Sequence, residues 1–194
     1  TLTVKVLSWI FGAWFVLAAA LAQIYPPNRV GPVAIAVIVL VQVALLVLMV
    51  ALHGGFQQVM RQLPVRTLVL LHVIRLPIGA LFLLLASLHL LPYDFAQPTG
   101  LGDMLVGGVA LAMLLVFRRS RMRPAWLVAW NVVGLLDLLN VQRVVAGLAS
   151  RSSEFVALQG LPLALVPYVV VPILFFTHLY MLGRLIQADR HSLS

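Results

Sequence analysis

The chain has 194 residues, 63% of them hydrophobic and only 9% charged, with a mean hydropathy of +1.10. That balance excludes an ordinary soluble globular domain and describes an integral membrane protein. The complete lack of cysteine excludes disulfides, thiolate metal sites and thiol chemistry, and the net charge of +8 is placed in a way that argues against nucleic acid as a partner.

A membrane span needs about 20 largely apolar residues to cross about 30 Å of hydrocarbon. Six runs qualify: residues 4–25, 31–52, 67–91, 102–117, 124–148 and 161–186. The expected fold is all-α, a polytopic membrane protein formed as a bundle of six transmembrane helices in a single domain over 1–194. Hydrocarbon offers no partner to an unpaired backbone amide or carbonyl, so the helix is the natural spanning form. The first run lacks a small-residue cleavage site and reads as a retained span, not a signal peptide. "YPPNRVGP" (25–32) turns the chain into the second span.

"LPYDFAQPTGLGD" (91–103) joins the third span to the fourth, ends a helix at Pro92 and offers Asp103 as the N-cap of the next. The fourth span carries "GDMLVGGVALA", whose small residues Gly107, Gly108, Ala110 and Ala112 suit close helix packing. "FRRSRMRP" (117–124) follows as a basic anchor, compatible with contact to anionic lipid headgroups. Nine of the thirteen basic residues (Lys5, Arg61, Arg66, Arg118, Arg119, Arg121, Arg123, Arg184 and Arg190) fall on one side of such a bundle. Arg29 and Arg151 fall on the other side with Asp94, Asp103 and Glu154. The bias predicts cytoplasmic N and C termini. The connection 142–162 is the one outer loop with room for irregular structure, and it is placed to cover an outward-facing cavity.

Charged and polar residues inside spans are costly and carry the functional signal. In the third span His72, Arg75, Gly79, Phe82, Ala86 and His89 follow at spacings of 3, 4, 3, 4 and 3, which sets them on one helical stripe. Pro77 removes a helical hydrogen bond and frees a carbonyl near residue 73, so a bend is expected beside Arg75 with that oxygen as a partner. In the fifth span Asn131, Gly134 and Asp137 are three apart, and Asp137 is the one acidic residue read as deep in a span, hence the natural counter-charge for Arg75. His178 lies on the sixth span, which also carries Pro167 and Pro172. From the helical rise, Arg75, Asn131 and His178 share a layer about 10 to 12 Å from the cytoplasmic boundary, with Asp137 about 8 Å further out. His53 and His89 read as interfacial, and Arg143, Trp9, Trp14, Trp126 and Trp130 as snorkelling or interfacial residues, with Trp130 a candidate to line the cavity.

The candidate ligand-binding residues are therefore Arg75, Asn131, Asp137, His178, His72, Trp130 and Asp103. They suit a polar intramembrane cavity that binds or translocates a small solute or an ion, including protons, in a protein small enough that a homodimer is expected. One alternative is a b-type haem redox protein with His72 and His178 as axial ligands. Another is an intramembrane enzyme acting on a lipid or isoprenoid with His178 or Asp137 as acid or base. There is no HExxH, GxSxG, glycine-rich phosphate loop or paired-carboxylate motif, and no lysine deep in a span for a retinal Schiff base.

The stretches "RLPIGALFLLLASLHLLPYDFAQPTGLGD", "WNVVGLLDLL" and "PLALVPYVVVPILFFTHLYML" resemble a group of small bacterial six-helix membrane proteins without an established activity. The resemblance rests on Arg75, Gly102, Asp103, Trp130, Asn131, Asp137, Pro167 and His178. It implies a bacterial inner membrane and the six-helix bundle, and brings no mechanism.

Overall fold

The computed structural model describes residues 2–24 and 31–192, with side chains chiefly over 12–24 and 33–187. The turn at 25–30 and the side chains of Lys5, Trp9, Arg29 and Arg190 lie outside the described residues. The order is α1 Leu2–Ile24, α2 Pro32–Leu52, α3 Gly54–Gln62, α4 Val65–Leu71, α5 Arg75–Ser87, α6 Tyr93–Val116, α7 Pro124–Gly147 and α8 Val171–Ser192. A 3-10 turn at His72–Ile74 joins α4 to α5, and a π-turn at Val166–Val170 leads into α8. Among the described residues there is no strand. Among the residues with described side chains, five helical stretches (Val33–Leu52, Val65–Ser87, Tyr93–Val116, Pro124–Gly147 and Val166–Gln187) are long and apolar enough to cross a membrane, and Gly12–Ile24, the described part of α1, is a shorter apolar one. The chain thus fits a membrane-integral protein, with large apolar side chains such as Leu48, Leu52, Leu115, Val116 and Leu136 turned outward where a soluble protein would carry charge.

The bend expected at Pro77 is the 3-10 turn at His72–Ile74. Proline cannot donate its amide, so the preceding turn loses a bond and tightens to shorter-range pairing. Arg75 opens α5 immediately after that turn, with its side chain fully buried.

α6 differs most from expectation. It begins at Tyr93, nine residues before the expected start at 102, so most of the expected joint 91–103 is helix. Pro98 sits in the second turn, where its missing amide removes the helical bond to the Asp94 carbonyl, and the helix nevertheless runs on through it. Gly100 and Gly102 are packing positions and not breakers. α5 and α6 approach until a Cβ on Gly79 would strike the Gly100 carbonyl and Met104, and Gly107 lies on the Leu76 backbone. The expected small-residue contact therefore holds at Gly107 and Ala110, whereas Ala112 faces outward. Asp103 is no N-cap: it is buried in mid-helix, because the N-cap of α6 is Pro92.

α3 falls between the expected second and third spans. It is a short amphipathic helix that buries Phe56 and Met60 among Leu46, Leu68, Val69, Met113 and Phe176, and it starts at His53, whose Nδ1 accepts the Phe56 amide at 3.2 Å. At this end of the bundle Arg66 donates to the Leu114, Phe117 and Arg118 carbonyls at 2.8–3.1 Å, satisfying the last turn of α6. Arg184 of α8 donates to the Leu63 carbonyl at 2.8 Å at the same end. The opposite end is covered by 3-10 turns at Ala149–Glu154 and Val156–Gln159. They press Phe155 and Leu158 into a cluster with Phe82, Leu91 and Phe95, and Ala157 donates its amide to the Leu90 carbonyl at 3.0 Å. Arg151 ties them down by bonding Asp94 and Glu154, each at 2.7 Å. His89, exposed with a φ of 58°, lies beside this cover.

Candidate functional site

The core of the bundle is built around one guanidinium. Arg75 Nε donates to Asp103 Oδ1 of α6 at 2.6 Å, and its Nη2 donates to Asp137 Oδ2 of α7. Its Nη1 points at the Gly134 carbonyl and at His178 Nε2, each at 3.5 Å, the long limit of a hydrogen bond. One side chain thus joins α5, α6, α7 and α8. Arg75 has no exposed surface, and the Asp103 and Asp137 side chains retain 11% and 10%. A guanidinium in that setting persists only with its donors occupied, since an unpaired buried charge costs several kcal/mol or more. The freed carbonyl near residue 73, expected as a partner, does not serve: the backbone oxygen that Arg75 meets belongs to Gly134.

The sequence spacing places these groups and glycine makes room for them. Asn131, Gly134 and Asp137 lie three apart on α7, on the face turned to the core. A Cβ on Gly134 would collide with the His178 ring, and a Cβ on Gly102 with the Asp137 carboxylate.

His178 has a defined tautomer. Asn131 donates its Nδ2 to the Leu127 carbonyl at 2.7 Å, which turns Asn131 Oδ1 toward His178 Nδ1 at 2.8 Å. An amide oxygen only accepts, so His178 carries its proton on Nδ1 and turns the Nε2 lone pair toward Arg75. His72 stands against it with ring centroids 3.9 Å apart, and Trp130 closes the group at 5.0 Å from His72 and 4.9 Å from His178. Trp130 Nε1 donates to the Val106 carbonyl at 3.0 Å. Thr177, which no sequence reasoning singled out, donates its hydroxyl to the Ile173 carbonyl at 2.8 Å and meets His72 Nε2 at 3.0 Å. Among the described residues, none bonds the buried His72 Nδ1.

The six expected residues Arg75, Asp137, Asn131, His178, His72 and Trp130 therefore do gather, and Asp103 joins them as an ion-pair partner instead of a cap. Trp130 packs behind the histidines and does not line the cavity described next. His72 and His178 do not fit the haem alternative. Their rings touch each other, leaving no slot for a macrocycle, and both His178 nitrogens and His72 Nε2 are already engaged.

On the side toward the 3-10 cover, Arg75 and Asp103 form the floor of a cavity of about 80 Å3. A water position occupies about 10–15 Å3 on this measure, so the space holds several waters or one small organic group. Its walls are Ile78, Phe82 and Phe95 on one side and Leu138, Val145 and Leu174 on the other, with Phe155 and Leu158 as the cover. Gln142 is the remaining polar wall residue. The expected polar cavity is thus apolar along its length and charged at one end. It lies between α5, α6, α7 and α8 and meets the layer estimated from helical rise at Arg75 alone, since Asn131, His178, His72 and Asp137 are absent from its wall.

The fold and site define a class: an all-α protein with membrane-length helices around a buried ionic cluster. A family model described as Domain of unknown function (DUF8737) matches residues 30–186, and the chain belongs to that family. The match runs from the start of α2 through most of α8 and includes every residue of the cluster. No curated protein and no solved structure matches the chain.

Proposed function

We propose that this protein binds a small solute inside the membrane, in the cavity whose floor is Arg75 and Asp103, and that binding or translocation of that solute is its function. The observation that carries the reading is the coincidence of two features: a costly ion-paired arginine, and an apolar cavity that ends on it. A purely structural ion pair needs no cavity beside it, and a lipid-filled crevice needs no charge at its end. In this reading α1 is the sixth span, the end carrying Arg66, Arg118 and Arg184 is cytoplasmic, and the cavity faces outward beneath the 149–159 cover. A bacterial inner membrane and a homodimer belong to the same proposal.

The test is ligand-dependent stabilisation of the purified protein in lipid nanodiscs, with Val145→Phe as the cavity-filled control. A solute that binds the folded state raises its melting temperature by mass action. A panel of small organic solutes is expected to contain at least one that stabilises the wild type and leaves Val145→Phe unmoved. If every solute affects both proteins alike, the cavity is not a binding site.

A further inference from the structure

We infer that the solute is an organic cation: a protonated amine with a small apolar body. The inference rests on the cavity reading above and adds the charge of the ligand. The buried cluster holds one guanidinium and two carboxylates, so with both carboxylates ionised it carries one surplus negative charge. Every titratable side chain facing it from the surrounding helices is accounted for among the described residues: Arg75 on α5, Asp103 on α6, Asp137 on α7, His178 on α8 and His72 in the 3-10 turn. His178 adds no charge, because its Nε2 faces Arg75 as a lone pair. His72 adds none either, since a second cation fully buried ring to ring against His178 and beside Arg75 would be repelled at low dielectric.

The surplus is not spread evenly. Asp137 lies against Gly102 and is absent from the cavity wall, whereas Asp103 lines the cavity. Asp103 uses Oδ1 for Arg75 Nε, and its Oδ2 has no hydrogen-bond partner among the described residues. An unpaired carboxylate oxygen at the charged end of a largely apolar cavity accepts from a cationic N–H donor, with charge-assisted strength. Phe82, Phe95 and Phe155 line the cavity as a tilted and edge-to-face group, with centroids 5.4 and 5.1 Å apart, and aromatic rings favour a cation over an anion. An anion entering the same space would add to the surplus charge at low dielectric, which works strongly against it.

An isosteric series tests this on the unmodified protein in nanodiscs at neutral pH: benzylamine as cation, benzyl alcohol as neutral, benzoate as anion. Benzylamine is expected to bind the wild type about tenfold or more tighter than benzyl alcohol, the effect of one charge-assisted hydrogen bond. Benzoate is expected not to bind. Asp103→Asn should bring benzylamine down to the affinity of benzyl alcohol while benzyl alcohol keeps its own. Equal or tighter binding of benzyl alcohol or benzoate to the wild type overturns the cation assignment and leaves the cavity reading intact, provided Val145→Phe abolishes that binding. If none of the three distinguishes wild type from Val145→Phe, the inference falls together with the cavity reading. The wild-type series stands whether or not Asp103→Asn folds.

Discussion

Replacing Arg75 by methionine keeps an unbranched stem and removes the guanidinium, and with it the charge and all its donors. Asp103 and Asp137 would then face the core with no counter-charge, each retaining only about a tenth of its side-chain surface in the open. Removing one partner of a buried ion pair costs about 3–5 kcal/mol, because the remaining charge is left unpaired. Arg75 serves two carboxylates and also meets the Gly134 carbonyl, so the loss should lie at the upper end, about 4–5 kcal/mol. Most of that is a penalty on the orphaned carboxylates and not the net worth of the bridge. The triple variant Arg75→Met, Asp103→Asn, Asp137→Asn should therefore recover most of it and come within about 2 kcal/mol of wild type. Reversible unfolding in mixed micelles, titrated with a denaturing detergent and followed by tryptophan fluorescence, gives both differences. If Arg75→Met loses less than about 1 kcal/mol, or if the triple variant is no more stable than the single one, the cluster does not hold the bundle through its ion pairs.

Three further outcomes follow from the packing and from the exposed cover. Gly134→Ala and Gly79→Ala place a methyl group on the His178 ring and on the Gly100 carbonyl, so each should destabilise by about 1–3 kcal/mol, whereas Gly183→Ala, with open space around it, should be neutral or slightly stabilising in the same titration. Asn131→Ala strips His178 Nδ1–H of its acceptor and should cost about 1–3 kcal/mol, and in nitrogen-15 NMR the imidazole signals should lose the single Nδ1–H tautomer that the wild type shows; an unchanged tautomer would sink the assignment. At the cover, the Arg151 guanidinium holds the Glu154 carboxyl below its usual range, and Arg151 itself is pushed up by Glu154 and Asp94 and stays charged. A carboxyl with a depressed folded-state pKa contributes fully above its unfolded value and loses the contribution as pH falls through the folded one. The protection of the 149–159 amides, corrected for the intrinsic pH dependence of exchange, should thus be highest at neutral pH and fall as pH drops through the depressed Glu154 range, and Arg151→Met should abolish that loss of protection.

Composition and period made the helical, membrane-length character legible, since a chain this apolar has few ways to satisfy its backbone. They also made legible which residues matter. A stripe at spacings of 3 and 4 put His72 and Arg75 on one face, and a spacing of three put Asn131, Gly134 and Asp137 on another. Those regularities are local, so a linear reading recovers them. The start of α6 was missed because Pro98, Gly100 and Gly102 have the form of breakers, and only the neighbouring backbone at Gly79 and the Asp137 carboxylate explains why glycine stands there. The signal that would have helped was Pro92 with Asp94 two residues on, an ordinary helix start. α3 escaped because nine residues with two buried positions look like a polar connection until α2 and α8 supply the surface they bury against.

What the sequence determined alone was the inventory: spans, a buried arginine, and the polar residues that must answer it. What only the tertiary structure decided was rotation. Helical rise sets the depth of a side chain within about a turn, but which carboxylate meets Arg75, which histidine nitrogen holds a proton and which wall is left open depend on how each helix turns about its axis. Contacts between helices set that rotation. Asp103 became the charge at the cavity floor because the glycine-to-glycine contact of α5 and α6 turned it inward against Arg75.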